Sequence, residues 1–101
     1  MTTYKLLWVD DEIELLKAHI LFLENKGYEV ETVTNGYDAL DRCAEEAFDL
    51  ILLDENMPGL SGLETLNRVK ELLPATPVVM LITSSKYDGM LYVYRVCSSS
   101  K

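Results

Sequence analysis

Two acidic groups carry the chemistry of this sequence. Asp10, Asp11 and Glu12 stand together after the apolar run Leu6-Leu7-Trp8-Val9, and Asp54 follows a second such run, Leu50-Ile51-Leu52-Leu53. In an open parallel sheet, ligands bind outside the carboxyl ends of the strands, near the point where strand order reverses. If these two runs are neighbouring parallel strands, their carboxylates gather at one mouth. Like charges that close are costly, and the usual remedies are raised pKa values or a bound cation. No Lys or Arg lies beside either group in the sequence, so a hard divalent cation is the better remedy. Mg²⁺ typically takes one or two carboxylates, several waters and phosphate oxygens. Taken singly, Asp10 or Asp11 is more often the N-cap of the helix that follows, and Asp54 more often starts a loop. Acid at both strand ends, with no local basic partner at either, favours a site.

The segment after Asp54 narrows the chemistry. Asp54-Glu55-Asn56-Met57-Pro58-Gly59-Leu60-Ser61-Gly62 is expected to begin with an exposed acid and then to stiffen, because Pro58 fixes φ and Gly59 and Gly62 allow conformations closed to other residues. Such a loop can turn a main-chain carbonyl, for instance that of Asn56, toward a cation at Asp54. As punctuation alone, Pro-Gly is only a turn. Thr83 ends a further apolar run, Val78 to Ile82, and a hydroxyl there can donate to a phosphate oxygen. An ordinary polar strand end reads equally well.

The elements that must position these groups follow from periodicity. Tyr4 to Val9 is a nearly continuous apolar run, expected of a strand buried on both faces. From Glu12 the period lengthens, and Ile13, Leu16, Ile20 and Leu23 form one helical stripe that Gly27 stops. His19, beside the stripe, is a packing or rim residue, and Trp8 is core. Tyr28 to Val33 alternates more and belongs nearer an edge. Asn35-Gly36 turns the chain into a second helix, Tyr37 to Glu46, with Leu40 and Cys43 inward. Phe48 to Leu53 is the most apolar strand and belongs in the centre. Leu63, Leu66, Val69, Lys70 and Leu73 carry a third helix closed by Pro74, and Pro77 to Ile82 is a fourth strand. This βαβαβαβ order implies a parallel sheet covered on both faces. The last run, Leu91 to Val96, follows too soon for a parallel crossover, which needs ~10–12 residues or more. With Asp88-Gly89 as a hairpin signal, it is expected to return antiparallel on the sheet edge. A single helix from Lys86 to Cys97 is the competing reading.

Composition bounds the rest. The 101 residues suit one domain, 49% hydrophobic and 26% charged, with nine Lys+Arg against seventeen Asp+Glu for a net charge of −8. A surface this acidic repels phosphate backbones, so direct nucleic-acid binding is not expected. The apolar runs are strand-sized, far short of the ~20 residues of a membrane span, and no leader-like segment opens the chain. Cys43 and Cys97 lack the spacing of a zinc site or disulfide framework. The expected compartment is the cytoplasm.

Together these residues resemble the receiver domain of bacterial two-component response regulators, a CheY-like, flavodoxin-like α/β fold. The resemblance runs from about Tyr4 to Thr83 and rests on Asp10-Asp11-Glu12, on Asp54 within the D-x-x-M-P-x-x-x-G run to Gly62, and on Thr83. Leu7-Trp8-Val9-Asp10-Asp11-Glu12 and Leu53-Asp54-Glu55-Asn56-Met57-Pro58 further resemble a subgroup with an alkaline-phosphatase-like output domain. The resemblance implies that Asp54 accepts a phosphoryl group from the phosphohistidine of a sensor histidine kinase or phosphotransfer protein. It implies Mg²⁺ held directly by Asp11 and Asp54, through water by Asp10, and by the Asn56 main-chain carbonyl. It also implies phosphoryl sensing by Thr83, and kinase contact through the first helix, Glu12 to Lys26. The protein would then be a switch, no enzyme beyond its own phosphoryl transfer.

One departure stands against the family pattern. The family places Lys-Pro after a fifth parallel strand, and this chain has no Lys-Pro. Lys86 follows Thr83 too closely, and Lys101 comes too early for an intervening helix. The domain is therefore read as 1–101, with 84–101 an altered or truncated end or partly a foreign tail. The alternative function is a receiver-like interaction module that cannot signal, with homodimerisation through the terminal edge strand. A haloacid-dehalogenase-type phosphatase would need a second Asp where this chain has Asn56.

Overall fold

The computed structural model describes residues 3–55, 57 and 59–81, and the backbone of residues 82 and 92–97. The sheet has five strands: β1 Lys5–Val9, β2 Glu29–Val33, β3 Leu50–Asp54, β4 Val78–Ile82 and β5 Tyr92–Cys97, in the order β2-β1-β3-β4-β5. The first four are mutually parallel. The most apolar strand, β3, is central and the alternating β2 is an edge, as their patterns require. The run expected at 91–96 is β5, antiparallel to β4 with a bulge opposite Met80 and Leu81, so the competing helix from Lys86 is excluded. Lys86 itself and the turn at 88–89 lie outside the described residues.

The strands alternate their side chains between two unequal cores. On one face, Leu7, Val9, Ile51, Leu53, Val78 and Met80 pack with Ala39, Cys43, Leu66 and Val69. These last four come from two helices, α2 (Gly36–Glu45) and α3 (Gly62–Leu72). On the other face, Trp8, Leu81 and the half-buried Leu52 and Val79 meet Ile13, Leu16, Ile20 and Leu23. Each fully buried Leu, Ile or Val contributes about 1.5–3 kcal/mol, so the α2–α3 side supplies the larger share. Trp8 is core, as expected, and burial pushes the Cys43 thiol up to about 11.

The helices differ from their sequence reading where capping decides. The segment after Glu12 is a 3₁₀ turn, Ile13–Leu16, before α1 proper, Lys17–Asn25. The Asp10 carboxylate accepts the Glu12 N–H at 2.8 Å and the Leu15 N–H bonds back to the Glu12 carbonyl at 3.0 Å, which tightens that turn. Asn35 and Ser61 cap α2 and α3 by accepting from the Asp38 and Glu64 N–H groups. Gly27, at φ 99°, ends α1. Leu63, expected on the inner stripe of α3, is 50% exposed, because Gly62, Thr65, Leu66 and Val69 turn inward instead.

An ion-pair ladder fastens α2 to β1 and the edge strand β2. Arg42 bonds Glu31 of β2 and Glu45 and Glu46 of its own helix end, while Lys5 of β1 bonds Glu46 and approaches Glu29 at 3.6 Å. The Lys5 bond holds the Glu46 carboxyl below its usual range, and the same bond raises Lys5. The Glu46 contribution is therefore present above its unfolded value of 4.5 and is lost as pH falls through its lower folded value. Melting curves of the parent and Glu46→Gln should differ by a constant amount near neutrality. That difference should shrink as pH drops below about 4.5.

Candidate functional site

The site is built by strand pairing. β1 and β3 are parallel neighbours, with Val9 opposite Leu53, so Asp10 and Asp54 leave the sheet side by side. Asp10 is tied to β2 through its N–H on the Val33 carbonyl at 3.1 Å, and Glu55 to β4 through the Leu81 carbonyl at 3.1 Å. Both strand ends are thereby held on both sides. Asp54 is itself the last residue of β3 rather than the first of a loop.

Three carboxylates converge there. One oxygen from each of Asp10, Asp11 and Asp54 can be chosen so that all lie within 4.8 Å of one another. Asp10 and Asp54 are buried, 1% and 0% exposed, so Asp54 is not the exposed acid expected, because it still lies within β3 between β1 and β4; Asp11 is the most open of the three. Two buried carboxylates beside a third form an acceptor-only donor set that suits a hard cation. Asp10 also fills its simpler role, since its side chain takes the Glu12 N–H. The turn-forming aspartate is thus also a member of the acidic cluster. Asn56 and Thr83, the other expected members, lie outside the described residues.

A sequence profile of the response regulator receiver domain matches residues 6–95. The chain belongs to the response regulator receiver domain family. The match runs past Thr83, into β5. The transcriptional regulatory protein CpxR homolog of Haemophilus influenzae is 46% identical over 76% of this chain, which is 33% of that protein. The chain thus spans between about a fifth and two fifths of the length of the curated relatives it matches. Among solved structures, chemotaxis protein CheY4 of Vibrio cholerae superposes with TM-score 0.75 at 36% identity, covering 83% of this chain and 72% of that one. Response regulator TrrA of Thermotoga maritima superposes with TM-score 0.74 in two structures. The one with Mg²⁺-BeF is 32% identical and covers 85% of this chain and 75% of that one. The one with histidine kinase ThkA is 33% identical and covers 81% and 71%. The receiver fold is accordingly the CheY-like α/β fold expected. No helix among the described residues is long and apolar enough to cross a membrane.

One glycine owes its place to steric fit rather than to its backbone conformation, and one buried threonine has no counterpart among the residues expected to matter. Gly59 has φ +77°, as a flexible turn residue should, but Gly62 does not have positive φ. Gly62 is needed for close approach: a Cβ there would lie 2.5 Å from the Asp54 carbonyl oxygen and 2.7 Å from Glu55 Cα. The start of α3 therefore presses directly on the backbone that presents Asp54. Thr65, fully buried, donates its hydroxyl to the Ser61 carbonyl at 2.7 Å and leaves no room for a side chain at Gly36. Its signal was its spacing three residues after Gly62, on the inner stripe of α3. Gly62→Ala should destabilise the domain by about 1–3 kcal/mol, measured by urea unfolding. Gly59→Ala should cost about 1 kcal/mol, from its left-handed backbone alone.

Proposed function

We propose that this receiver domain is a phosphorylation-dependent switch that accepts a phosphoryl group on Asp54. The observation that carries this reading is the convergence of Asp10, Asp11 and Asp54 within 4.8 Å. An Asp54 carboxylate oxygen forms the new P–O bond while the P–N bond of the donor phosphohistidine breaks and the imidazole leaves. In this reading Asp11 and Asp54 bind Mg²⁺ directly, Asp10 through water and Asn56 through its carbonyl, while Thr83 senses the phosphoryl group. Bound Mg²⁺ supplies charge neutralisation, the main requirement of phosphoryl transfer. The chain's own part is to hold the acceptor still: β3 pairing on both sides and the Gly62 contact do so. The domain performs no turnover beyond its own phosphorylation.

The partner in this reading is a sensor histidine kinase or phosphotransfer protein, supported by the likeness to TrrA, which has been solved with ThkA. Mg²⁺ is supported by the likeness to TrrA with Mg²⁺-BeF. For the output, the names of curated relatives such as the CpxR homolog support transcriptional regulation, whereas the Leu7–Glu12 and Leu53–Pro58 likeness supports an alkaline-phosphatase-like domain. A cytoplasmic location goes with the kinase partner. Residues 1–101 act as one receiver unit. A second reading, an interaction module that pairs copies through an edge strand, is favoured by the place of β5 at the margin of the sheet.

Incubated with Mg²⁺ and a small acyl phosphate, the protein should gain one phosphoryl group by intact mass, and Asp54→Asn should gain none. An unchanged parent mass would defeat the switch and favour the interaction module. Trp8, buried two residues before Asp10, should change its fluorescence when Mg²⁺ is added, and Asp11→Ala should abolish that response.

A further inference from the structure

The two helices on the more deeply buried face of the sheet meet each other at their first turns. α2 begins at Gly36 and α3 at Gly62, and Thr65 stands one turn into α3, fully buried. A Cβ on Gly36 would lie 2.2 Å from the Thr65 hydroxyl oxygen and 3.1 Å from Leu60, so bare backbone and side chain touch there. The oxygen is fixed in that place. Its hydroxyl donates to the Ser61 carbonyl at 2.7 Å, which also accepts the Thr65 N–H at 2.9 Å. Threonine is a costly choice at this position. A buried hydroxyl has to be hydrogen-bonded, and back-bonding to the residue four before it slightly destabilises a helix. An apolar residue would fill the inner stripe of α3 without either cost.

The Gly36–Thr65 contact closes a circuit around the acidic cluster. Asp10 donates its N–H to the Val33 carbonyl at 3.1 Å, and three residues beyond Val33 the chain reaches Gly36. Gly36 bears on Thr65, and Thr65 shares α3 with Gly62. Gly62 in turn bears on the exit of β3, with its Cβ position 2.5 Å from the Asp54 carbonyl and its N–H 3.4 Å from the Glu55 carbonyl. Asp54 and Asp10 then present oxygens within 4.8 Å of each other. We infer that Thr65 is a positioning residue for Asp54. By bearing on Gly36 it sets how far α3, and with it the end of β3, stands from the strand end that precedes Asp10. This inference rests on the acceptor reading of Asp54. Thr65 acts through Gly62 and is no part of the ligand set. Mg²⁺ demands near-ideal octahedral geometry, so its affinity reports the separation of the carboxylates.

Four variants separate position from stability: Thr65→Ala, Thr65→Ser, Gly36→Ala, and Gly36→Ala combined with Thr65→Ala. Mg²⁺ affinity by titration calorimetry and, without metal, solvent exchange of the Asp10 amide by NMR are read beside urea unfolding. Thr65→Ala withdraws the oxygen from Gly36. It should speed Asp10 exchange and weaken Mg²⁺ binding roughly tenfold, short of the ~100-fold that a 1 Å misplacement can cost. Thr65→Ser loses a buried methyl, and stability with it, but keeps the oxygen and its bond, so it should bind Mg²⁺ as the parent does. Gly36→Ala should also weaken binding, by wedging the helices apart. The double variant should recover most of that loss, because the new methyl takes the space the oxygen left. Parent affinity in both Thr65→Ala and Gly36→Ala would overturn the inference. So would losses that simply follow stability, with Thr65→Ser as weak as Thr65→Ala. If Gly36→Ala does not fold, Thr65→Ala against Thr65→Ser decides alone. A parent that binds no Mg²⁺ would instead defeat the acceptor reading. The Asp10 amide then still decides the inference, and unchanged exchange in Thr65→Ala would overturn it.

Discussion

The structure depends on the parallel pairing of β1 with β3. Parallel neighbours finish at the same edge of a sheet, so the residues at and just beyond their ends are brought together without any contribution from the loops. Here those residues are Asp10 and Asp11, directly after β1, and Asp54, the last of β3. Two of these carboxylates are sealed from solvent, at a desolvation cost that only the surrounding packing can sustain. The apolar residues immediately before them, Leu7, Val9, Ile51 and Leu53, are fully buried. Core and site are thus one assembly, with the hydrophobic energy of the strands holding like charges at a separation they would otherwise leave.

Around that centre the protein limits movement. Hydrogen bonds from Asp10 to β2 and from Glu55 to β4 pin the two strand ends laterally, and the bare backbone of Gly62 presses on the carbonyl side of Asp54. The acceptor role proposed for Asp54 needs this rigidity, because phosphoryl transfer is mostly a matter of position and charge. The ion-pair ladder of Lys5, Arg42 and Glu46 lies away from this edge. It joins α2 to β1 and β2 on the protein surface, so it steadies the scaffold without adding charge to the site.

The two faces of the sheet are covered unequally, and the consequence falls on α1. On the α2–α3 side the strands are deeply buried. On the α1 side Leu52 and Val79 are only half-buried and a groove runs beside Phe22. A helix with apolar residues on two sides beside a partly covered sheet has hydrophobic surface to spare.

Much of this was legible in the residues. Apolar periodicity placed the four parallel strands and three helices. The shortness of the stretch between Ile82 and Tyr92 required an antiparallel return, because a helical crossover cannot be built in so few residues. Asp10, Asp11 and Asp54 were recognisable because acids directly after buried strands have few reasons to be there. Other features depended on contacts between segments distant in sequence. Gly62 looked like a conformational glycine, and only the approach of α3 to the end of β3 showed it to be a steric one. Leu63 fitted the helical stripe, but the angle at which α3 meets the sheet turned Thr65 inward in its place. The 3₁₀ turn before α1 followed from a side chain, that of Asp10, bonding the backbone two residues on. Sequence by itself determined which residues are apolar, which are acidic and with what period they recur, and so the order of elements and the donor set. Tertiary structure alone decided which strand lies beside which and how closely helices approach it, because strand order and steric fit arise between residues that no local pattern connects.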